Sequence, residues 1–144
     1  MTDTACPLCT GDGGTLVFRN AQLRVIQADE PGFPAFYRVI WNRHVAEFSD
    51  LTAAERAVCM DAVAAVEQVL RAELRPCKIN LAALGNLVPH LHWHVVARFD
   101  WDSHYPAPIW SAAIRPVDSV RLDDVRTRTL QVHRRIQQQC EQKL

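Results

Sequence analysis

Residues 90–96 read His90-Leu91-His92-Trp93-His94-Val95-Val96, with a histidine at every second position. Side chains alternate between the two faces of a β-strand, so a strand here turns the three imidazoles to one face and the intervening apolar side chains to the other. The β-branched and aromatic residues of the run, and the proline before it, favour a strand over a helix. We therefore expect one apolar face for a core and one face that carries three imidazoles.

Three neighbouring imidazoles on one strand face indicate chemistry, because burying them without partners is costly. Such an array suits phosphate chemistry, in which one neutral ring attacks phosphorus while a neighbour donates a hydrogen bond. The alternative is a catalytic metal ion, since zinc accepts three histidines and a water molecule. The three positions span roughly 13 Å at about 3.3 Å per residue, which favours a row of rings over a three-histidine cage.

The 144 residues are 49% hydrophobic and carry 16 basic and 16 acidic side chains, as expected of a globular protein without net charge. This balance argues against a general nucleic-acid binder and against a protein of anionic membrane surfaces. There is no apolar run of transmembrane length and no secretion signal, so we expect a cytoplasmic protein. The five cysteines are then reduced thiols or metal ligands rather than a disulfide framework.

The N-terminal segment Cys6-Pro7-Leu8-Cys9 precedes a glycine-rich stretch, a pattern typical of one half of a zinc knuckle. Tetrahedral zinc needs two further ligands, so this pair alone is half of a site. A redox dithiol would need the start of a helix in a βαβ setting, which the sequence lacks. Two unpaired cysteines in a tail remain the simplest alternative.

Periodicity and turn residues predict the secondary structure. The longest element is a helix that opens with a capping box of Thr52 and Glu55 and is stopped by Pro76. The other predicted elements are strands at 15–19, 23–27, 36–41 and 77–83, the histidine strand, and an amphipathic helix at about 122–141. The strand before the histidines pairs with them as an antiparallel hairpin. This order predicts an α+β fold with a mainly antiparallel sheet, in a single domain over residues 1–144.

The histidine run resembles the signature of the histidine-triad (HIT) family, His-φ-His-φ-His-φ-φ with φ apolar, at every position. The resemblance also covers residues 42–45, the long helix, Asn80, the Gly85-Asn86 turn and Arg98. It is weaker in the C-terminal part, apart from His104-Tyr105-Pro106, which is similar to a tail motif of the phosphoramidase branch. A HIT-like fold is therefore expected over most of residues 6–98.

The family consists of nucleotide hydrolases and nucleotidyl transferases, so the resemblance implies an enzyme of this kind. It implies that His92 attacks the α-phosphorus of a nucleotide and forms a covalent nucleotidyl-histidine, which water or another acceptor resolves. His94 would hydrogen-bond the phosphate and the departing group, and His90 would orient the other rings. Further candidates for substrate binding are Asn80, Gly85, Asn86 and His104. Typical substrates are dinucleoside polyphosphates and nucleoside phosphoramidates, usually of adenosine, and family members are commonly homodimers.

Bacterial relatives with an N-terminal CxxC pair also bind a structural zinc ion. Carried over to this sequence, the zinc ligands are Cys6, Cys9, His44 and His90, which complete the half-site as a Cys₂His₂ set. In that arrangement His90 is structural, while His92 and His94 perform the chemistry. The resemblance implies no organic cofactor.

Two positions depart from the family pattern. Residues 35–37 contain no histidine where many relatives have one, and Leu87 replaces a small hydroxyl residue that donates to phosphate. These departures favour one alternative, a non-catalytic nucleotide- or zinc-binding HIT protein. A hydrolase whose metal ion is catalytic is a further alternative, independent of the departures.

Overall fold

Five strands and four helices are described by the structure, a computed structural model that covers residues 2–144. They are α1 Pro7–Thr10, β1 Thr15–Arg19, β2 Leu23–Gln27, β3 Phe36–Trp41, α2 Ala53–Leu74, β4 Lys78–Ala82, β5 His92–Arg98, α3 Ser119–Thr127 and α4 Thr129–Lys143, with a 3₁₀ turn at Phe48–Asp50. The strands form one antiparallel sheet in the order β1-β2-β3-β5-β4. This architecture confirms the predicted α+β fold class.

The sheet has one face that packs on helices and a second face that carries histidines. Leu91 and Val95 belong to the core that α2 and α4 cover, and Trp93 packs against that core. His92 and His94 alternate with these residues and lie opposite β3 residues on the other face. α2 packs against β3 and β5, while α4 packs against α2 and β1. The alternation predicted from the sequence thus separates the core face that the helices cover from the face that carries the histidines. That second face also holds a smaller buried apolar cluster, which includes Ile26, Phe36, Ile40 and Val96.

The capping box at the start of α2 forms as predicted. The Thr52 hydroxyl accepts from the Glu55 amide at 3.2 Å, and the Glu55 carboxylate accepts from the Thr52 amide at 2.8 Å. The helix ends at Leu74 and is followed by Arg75, whose φ of 49° is left-handed, immediately before Pro76. The buried stripe is Cys59, Val63, Val66, Leu70 and Leu74. Among the residues described, neither α2 nor a shorter helix has the length and hydropathy that crossing a membrane requires.

β5 begins at His92, two residues later than the predicted histidine strand. Pro89 has no amide hydrogen, and the His90 amide donates to the Val88 carbonyl at 2.8 Å, so the backbone turns here instead of joining the ladder. His90 therefore precedes the strand. Two imidazoles rather than three alternate within it, which corrects the expectation of a row of three.

The C-terminal helix predicted at about 122–141 is two helices. α3 begins earlier than predicted, because the Asp118 carboxylate accepts from the Arg121 amide at 3.1 Å and caps it. The helices separate at Arg128, whose amide donates to the Val125 carbonyl, three residues back, at 3.1 Å. The spacing of buried residues continues from α3 into α4. For this reason the hydrophobic periodicity of the sequence predicted a single helix.

The loop that follows β5 is anchored by a buried ion pair. Arg98 Nε and Nη2 donate to the two Asp102 carboxylate oxygens at 2.8 and 3.0 Å. The two side chains are 1% and 3% exposed, so the pair is desolvated and depends on further hydrogen bonds. Asp102 also accepts from the amides of Phe99, His104 and Tyr105. The anchor fixes the path of residues 99–115 near the histidine face.

Candidate active site and metal centre

His92 and His94 lie side by side on β5 and form the centre of the candidate active site. Their ring centroids are 4.9 Å apart, and the rings are nearly perpendicular. They are 9% and 5% exposed, so both are largely removed from bulk water. Phe36 packs edge-on against His94 with a centroid distance of 5.4 Å. Neighbouring residues therefore hold both imidazoles in fixed orientations.

A hydrogen bond determines which nitrogen of His92 is free. Nδ1 lies 2.6 Å from the His90 carbonyl oxygen, which only accepts, so Nδ1 carries the hydrogen and Nε2 keeps its lone pair. Burial lowers the pKa of His92, the bond to the carbonyl opposes this effect, and the charge of Arg38 adds to it. The ring is thus neutral at neutral pH and has a nucleophilic nitrogen.

Arg38 gives His94 the opposite tautomer. Arg38 Nε donates to His94 Nδ1 at 3.4 Å, so the hydrogen of the neutral ring belongs on Nε2. Burial, followed by the neighbouring His92 and Arg38, lowers the pKa of His94 to about 3. His94 consequently offers an Nε2–H donor beside the lone pair of His92. A nucleophile next to a donor is the pairing that attack on a phosphoryl group requires.

A cavity of about 420 Å³ opens over these two rings. Four predicted site residues line it, namely His92, His94, Gly85 and Asn86. Gly85 has a φ of 69°, a left-handed conformation that favours glycine and turns the backbone at the rim of the cavity. The other lining residues are Leu8, Arg38, Leu84, Leu87, Val88 and Trp110. The two imidazoles lie at the base of the cavity, and the rest of its lining is largely apolar.

Two predicted substrate-binding residues lie outside the lining of this cavity. Asn80 is on β4, where its Oδ1 accepts from Arg98 Nη1 at 2.8 Å. The His104 ring packs edge-on against Phe33 at a centroid distance of 5.2 Å, and its Nδ1 is 2.8 Å from the hydroxyl of its neighbour Ser103. The structure therefore does not bring these two side chains to the histidine pair, and their role in binding remains a prediction.

The four predicted metal ligands form a compact cluster. One ligand atom from each of Cys6, Cys9, His44 and His90 lies within 4.8 Å of the others. His90 Nδ1 is 3.5 Å from Cys6 Sγ and 3.6 Å from Cys9 Sγ, and His44 Nδ1 is 3.3 Å from Cys9 Sγ. Ligands about 2.3 Å (sulfur) and 2.0–2.1 Å (nitrogen) from a tetrahedral zinc ion would be roughly 3.3–3.8 Å apart. These residues are spaced to hold one metal ion.

His90 links the metal cluster to the active site. Its Nε2 lies 2.6 Å from the Trp41 carbonyl oxygen and so carries the hydrogen, which leaves the Nδ1 lone pair facing the two thiols. Burial is the main influence on its pKa and lowers it, favouring the neutral ring that ligates metals. Its carbonyl meanwhile accepts from His92. The ring therefore belongs to the cluster, and the backbone positions the adjacent nucleophile candidate.

Arg24 supports the cluster, although the sequence reasoning did not select it. Its side chain is 4% exposed and lies under the segment that carries the two cysteines. It donates to the carbonyl oxygens of Leu8, Gly11 and Asp12 at 2.6, 3.1 and 3.0 Å and to Asn42 Oδ1 at 3.2 Å. These bonds tie the knuckle to the sheet. The available signal was an arginine inside an otherwise apolar strand.

Arg38 and Trp110 are the active-site residues that sequence reasoning missed. The signal for Arg38 was its charge within the apolar strand β3, because β3 pairs with the histidine strand. The Trp110 ring centroid is 5.1 Å from that of His94. No local pattern predicts this contact, since it depends on the path of the long loop that Arg98 and Asp102 anchor.

Comparison with known proteins identifies relatives over most of the chain. The HIT domain family matches residues 13–101. Among curated proteins, an "AP-4-A phosphorylase" of Mycobacterium tuberculosis is 29% identical over 119 residues, which are 78% of this chain and 61% of that protein. The present chain thus spans less than two thirds of the length of this relative.

Solved structures show the same fold. A histidine triad protein from Bradyrhizobium japonicum is 26% identical, covers 86% of this chain and 90% of its own, and has a TM-score of 0.69. A histidine triad protein from Marinobacter aquaeolei is 20% identical, covers 92% and 93%, and also has a TM-score of 0.69. Because the family match includes more than half of the residues and the complete histidine run, the chain belongs to the HIT domain family.

Proposed function

We propose that this protein is a nucleotide hydrolase or nucleotidyl transferase that acts at the α-phosphate through His92. The observation that carries the proposal is the pair of complementary tautomers on one cavity. His92 turns a lone pair, and His94 an N–H donor, toward the same space, because the His90 carbonyl and Arg38 occupy their other nitrogens. Membership of the HIT family supports the same chemistry.

In the first step, His92 Nε2 attacks the α-phosphorus. A P–N bond forms, and the bond from phosphorus to the leaving group breaks. The leaving group departs with that electron pair and takes a proton from solvent. His94 Nε2–H donates to a phosphoryl oxygen or to the departing atom, and the positive charge of Arg38 stabilises the charge that develops.

In the second step, water or another acceptor attacks the nucleotidyl-histidine. A P–O bond forms, the P–N bond breaks, and His92 recovers its lone pair while the acceptor releases its proton to solvent. With water the enzyme is a hydrolase, and with a different acceptor it is a transferase. Backbone amides of the Gly85-Asn86 turn are candidate donors to the phosphate in both steps.

We propose zinc as the ion of the four-residue cluster. Two thiolates and two neutral imidazoles form the Cys₂His₂ set that structural zinc prefers. The ion would cross-link the N-terminal segment that carries Cys6 and Cys9 to the sheet. Binding of the ion would also hold the His90 ring in place. A fixed ring fixes the His90 carbonyl, which accepts the hydrogen bond from His92.

For the substrate we propose an adenosine nucleotide, either a dinucleoside polyphosphate or a nucleoside phosphoramidate. The Mycobacterium tuberculosis relative supports the first choice by its name, AP-4-A phosphorylase. We further propose a homodimer with a shared sheet, for which β4 is suited because it lies at an edge and leaves backbone groups unpaired.

Turnover of a nucleotide panel by the wild type and by His92→Ala tests the function. The panel contains diadenosine polyphosphates and adenosine phosphoramidates, and product release is followed by chromatography. We expect turnover of at least one substrate, and its loss in His92→Ala. His133→Asn is the matched control, because His133 packs on Tyr37 away from the cavity. Turnover that persists in His92→Ala would refute the proposed mechanism.

A non-catalytic nucleotide-binding protein is the alternative that one observation favours. Leu87 is 98% exposed at the cavity rim and has no hydroxyl to donate to phosphate. In that case adenosine nucleotides would raise the melting temperature, and no substrate of the panel would be turned over.

A further inference from the structure

A separate cavity gives access to one of the two cysteines of the metal cluster. It has a volume of about 310 Å³, the size of a small-molecule site, and its lining includes Cys9, Gly11, Arg24 and Asn42. Cys6 is not in this lining and is 6% exposed. A small reagent can therefore reach the Cys9 thiol, while the Cys6 thiol is shielded from it.

Cys6 and Cys9 are placed to form a disulfide bond with each other. The Cys9 amide donates to the Cys6 carbonyl at 3.1 Å, so the two residues are the first and fourth of one turn, whose Cα atoms are less than about 7 Å apart. A disulfide requires a Cα separation within that limit. Both Sγ atoms lie within 3.6 Å of His90 Nδ1 and within 4.8 Å of each other. Rotation of the two side chains can bring the sulfurs to bonding distance.

The other three cysteines differ from this pair. Cys59 and Cys140 are 1% and 0% exposed in the core under the helices, and burial raises the pKa of Cys59 to about 11 and that of Cys140 to about 12, so both stay as thiols. Cys77 is exposed, and its Sγ donates to the Arg98 carbonyl at 3.2 Å, outside the cluster. Cys6 and Cys9 are thus the pair that a small oxidant can reach and join.

We propose that Cys6 and Cys9 are an oxidation site, at which a low-molecular-weight disulfide such as oxidised glutathione joins the two thiols, releases the metal ion and slows the chemistry of His92. The pair is oxidised by a small molecule in this role, so it needs no βαβ setting, unlike the dithiol of a redox enzyme. Oxidation and metal release go beyond the proposed function, and only the effect on turnover rests on it.

The reaction has two balanced steps. Cys9 Sγ attacks one sulfur of the reagent and forms a mixed disulfide, while one thiolate of the reagent leaves with the electron pair of the broken S–S bond and takes a proton from solvent. Cys6 Sγ then attacks the Cys9 sulfur, which forms the Cys6–Cys9 bond and expels the second thiolate of the reagent. The two cysteines lose two electrons, and the reagent gains two. The metal ion keeps its charge and leaves because two of its four ligands are lost.

Oxidation changes the surroundings of His92 through His90. The two sulfurs that contact His90 Nδ1 move toward each other, so the His90 ring loses these contacts and keeps its bond to the Trp41 carbonyl. The His90 carbonyl is then held less firmly, and it is the group that fixes the hydrogen of His92 on Nδ1. We expect a smaller share of the His92 tautomer whose lone pair is on Nε2, and therefore slower attack on phosphorus.

The hydrogen bonds of Arg24 make this change reversible. Its guanidinium donates to the carbonyls of Leu8, Gly11 and Asp12 and to the Asn42 side chain, and none of these bonds involves a thiol. The N-terminal segment therefore stays packed on the sheet after oxidation, and a dithiol reductant with zinc restores the cluster.

Treatment of the zinc-loaded full chain with oxidised glutathione tests the oxidation site without any substrate. A chromophoric chelator measures the released metal, and peptide mass spectrometry after alkylation identifies the oxidised cysteines. We expect one metal ion released per chain and a Cys6–Cys9 disulfide, both reversed by dithiothreitol and zinc. Modification of Cys77 in the same molecule shows that the reagent is active. Free Cys6 and Cys9 thiols once Cys77 is modified, or a disulfide that leaves the metal bound, would overturn the proposal.

Cys6→Ser tests the order of the two steps. This variant lacks the second thiol, so Cys9 should accumulate as a mixed disulfide with glutathione. Cys77→Ser is the matched control and should form the Cys6–Cys9 disulfide as the wild type does. Acid quenching of the wild type early in the reaction traps the same mixed disulfide and does not depend on the folding of a variant. Absence of a mixed disulfide on Cys9 in both experiments would overturn the assignment of Cys9 as the entry thiol.

Two further measurements separate this proposal from the proposed function. The imidazole ¹⁵N signals of His92 report which ring nitrogen carries the hydrogen, and oxidation should shift them toward the other tautomer even without turnover. Turnover itself should fall by about tenfold or more on oxidation. Unchanged His92 signals, or equal turnover before and after oxidation, would overturn the link to the active site. No turnover by the reduced, zinc-loaded protein would refute the proposed function, and the disulfide, the released metal and the His92 signals would then decide this proposal.

Discussion

His90 and His92 are two residues apart, yet their rings lie in opposite chemical settings. Both donate a ring N–H to a backbone carbonyl at 2.6 Å, His90 through Nε2 and His92 through Nδ1. The lone pair of His90 is thereby left among two thiols and a second imidazole, whereas that of His92 is left at a cavity. Two backbone carbonyls thus leave different ring nitrogens free in two histidines of one motif, which is the basis for proposing metal binding for His90 and nucleophilic attack for His92.

The largest expected effect separates these two roles. His92→Ala should lower kcat by on the order of 10⁴-fold or more, because no other group can replace the nucleophile. Its metal content should equal that of the wild type, since the His90 ring and both thiols are unchanged. Steady-state kinetics and elemental analysis on one preparation measure both quantities. Loss of metal from His92→Ala would show that the metal cluster depends on the His92 ring. That result would contradict the separation of the metal-binding role from the catalytic role.

The reciprocal variant is Cys9→Ser, which removes a thiol from the cluster. We expect loss of the bound metal and a fall of about 3 kcal/mol in the free energy of unfolding, since metal binding in such sites contributes directly to folding. Chemical denaturation with metal analysis measures this. The matched control is Cys77→Ser, an exposed cysteine outside the cluster, which should change stability by less than about 0.5 kcal/mol. Equal stabilities of the two variants would argue against a structural metal.

Arg38→Met tests the role of the guanidinium group at the cavity. Removing the guanidinium takes away the donor to His94 Nδ1 and the positive charge beside the phosphoryl group. We expect kcat to fall by about 10²-fold, the usual effect of losing one charge-stabilising donor, while metal content is retained. Arg126→Met, an exposed arginine on α3, is the control. A rise in KM with kcat unchanged would show that Arg38 binds the ground state and the transition state equally and adds nothing to the chemical step.

The smallest expected effect is a pH dependence of stability caused by His94. Its pKa of about 3 in the folded protein lies below the ordinary value of 6.5, so the unfolded chain binds more protons between these limits. This contribution to stability is fully present above about pH 6.5 and is lost as pH falls toward 3, with a slope of up to about 1.4 kcal/mol per pH unit. Unfolding of His94→Gln from pH 7 to 5 should show a shallower slope. Parallel curves for the two proteins would contradict the assignment of a neutral, buried His94.

The sequence predicted most of the fold because local signals and burial agree. The first three strands and the capped helix match their predicted bounds, since alternation, the Thr52 capping box and Pro76 each act within a few residues. The start of β5 and the break at Arg128 were missed because a backbone hydrogen bond, not a side-chain pattern, decides each of them.

The metal ligands could be proposed from the sequence only through the family resemblance. The spacing of Cys6 and Cys9 indicates half of a site. His44 and His90 are far from them in the sequence, and nothing in that separation shows that the fold brings the four side chains together. The charge of Arg38 within an apolar strand was a signal, but its position beside His94 depends on strand pairing. The position of Trp110 depends on a loop that a buried ion pair anchors, and no local pattern predicts it.

The most direct test of the central claim is mass spectrometry of the protein quenched during turnover of an adenosine substrate. The account predicts one covalent nucleotidyl group per chain, mapped by peptide analysis to His92 and absent from His92→Ala. A different modified residue, or an unmodified protein during turnover that is slowed at the hydrolysis step, would contradict it.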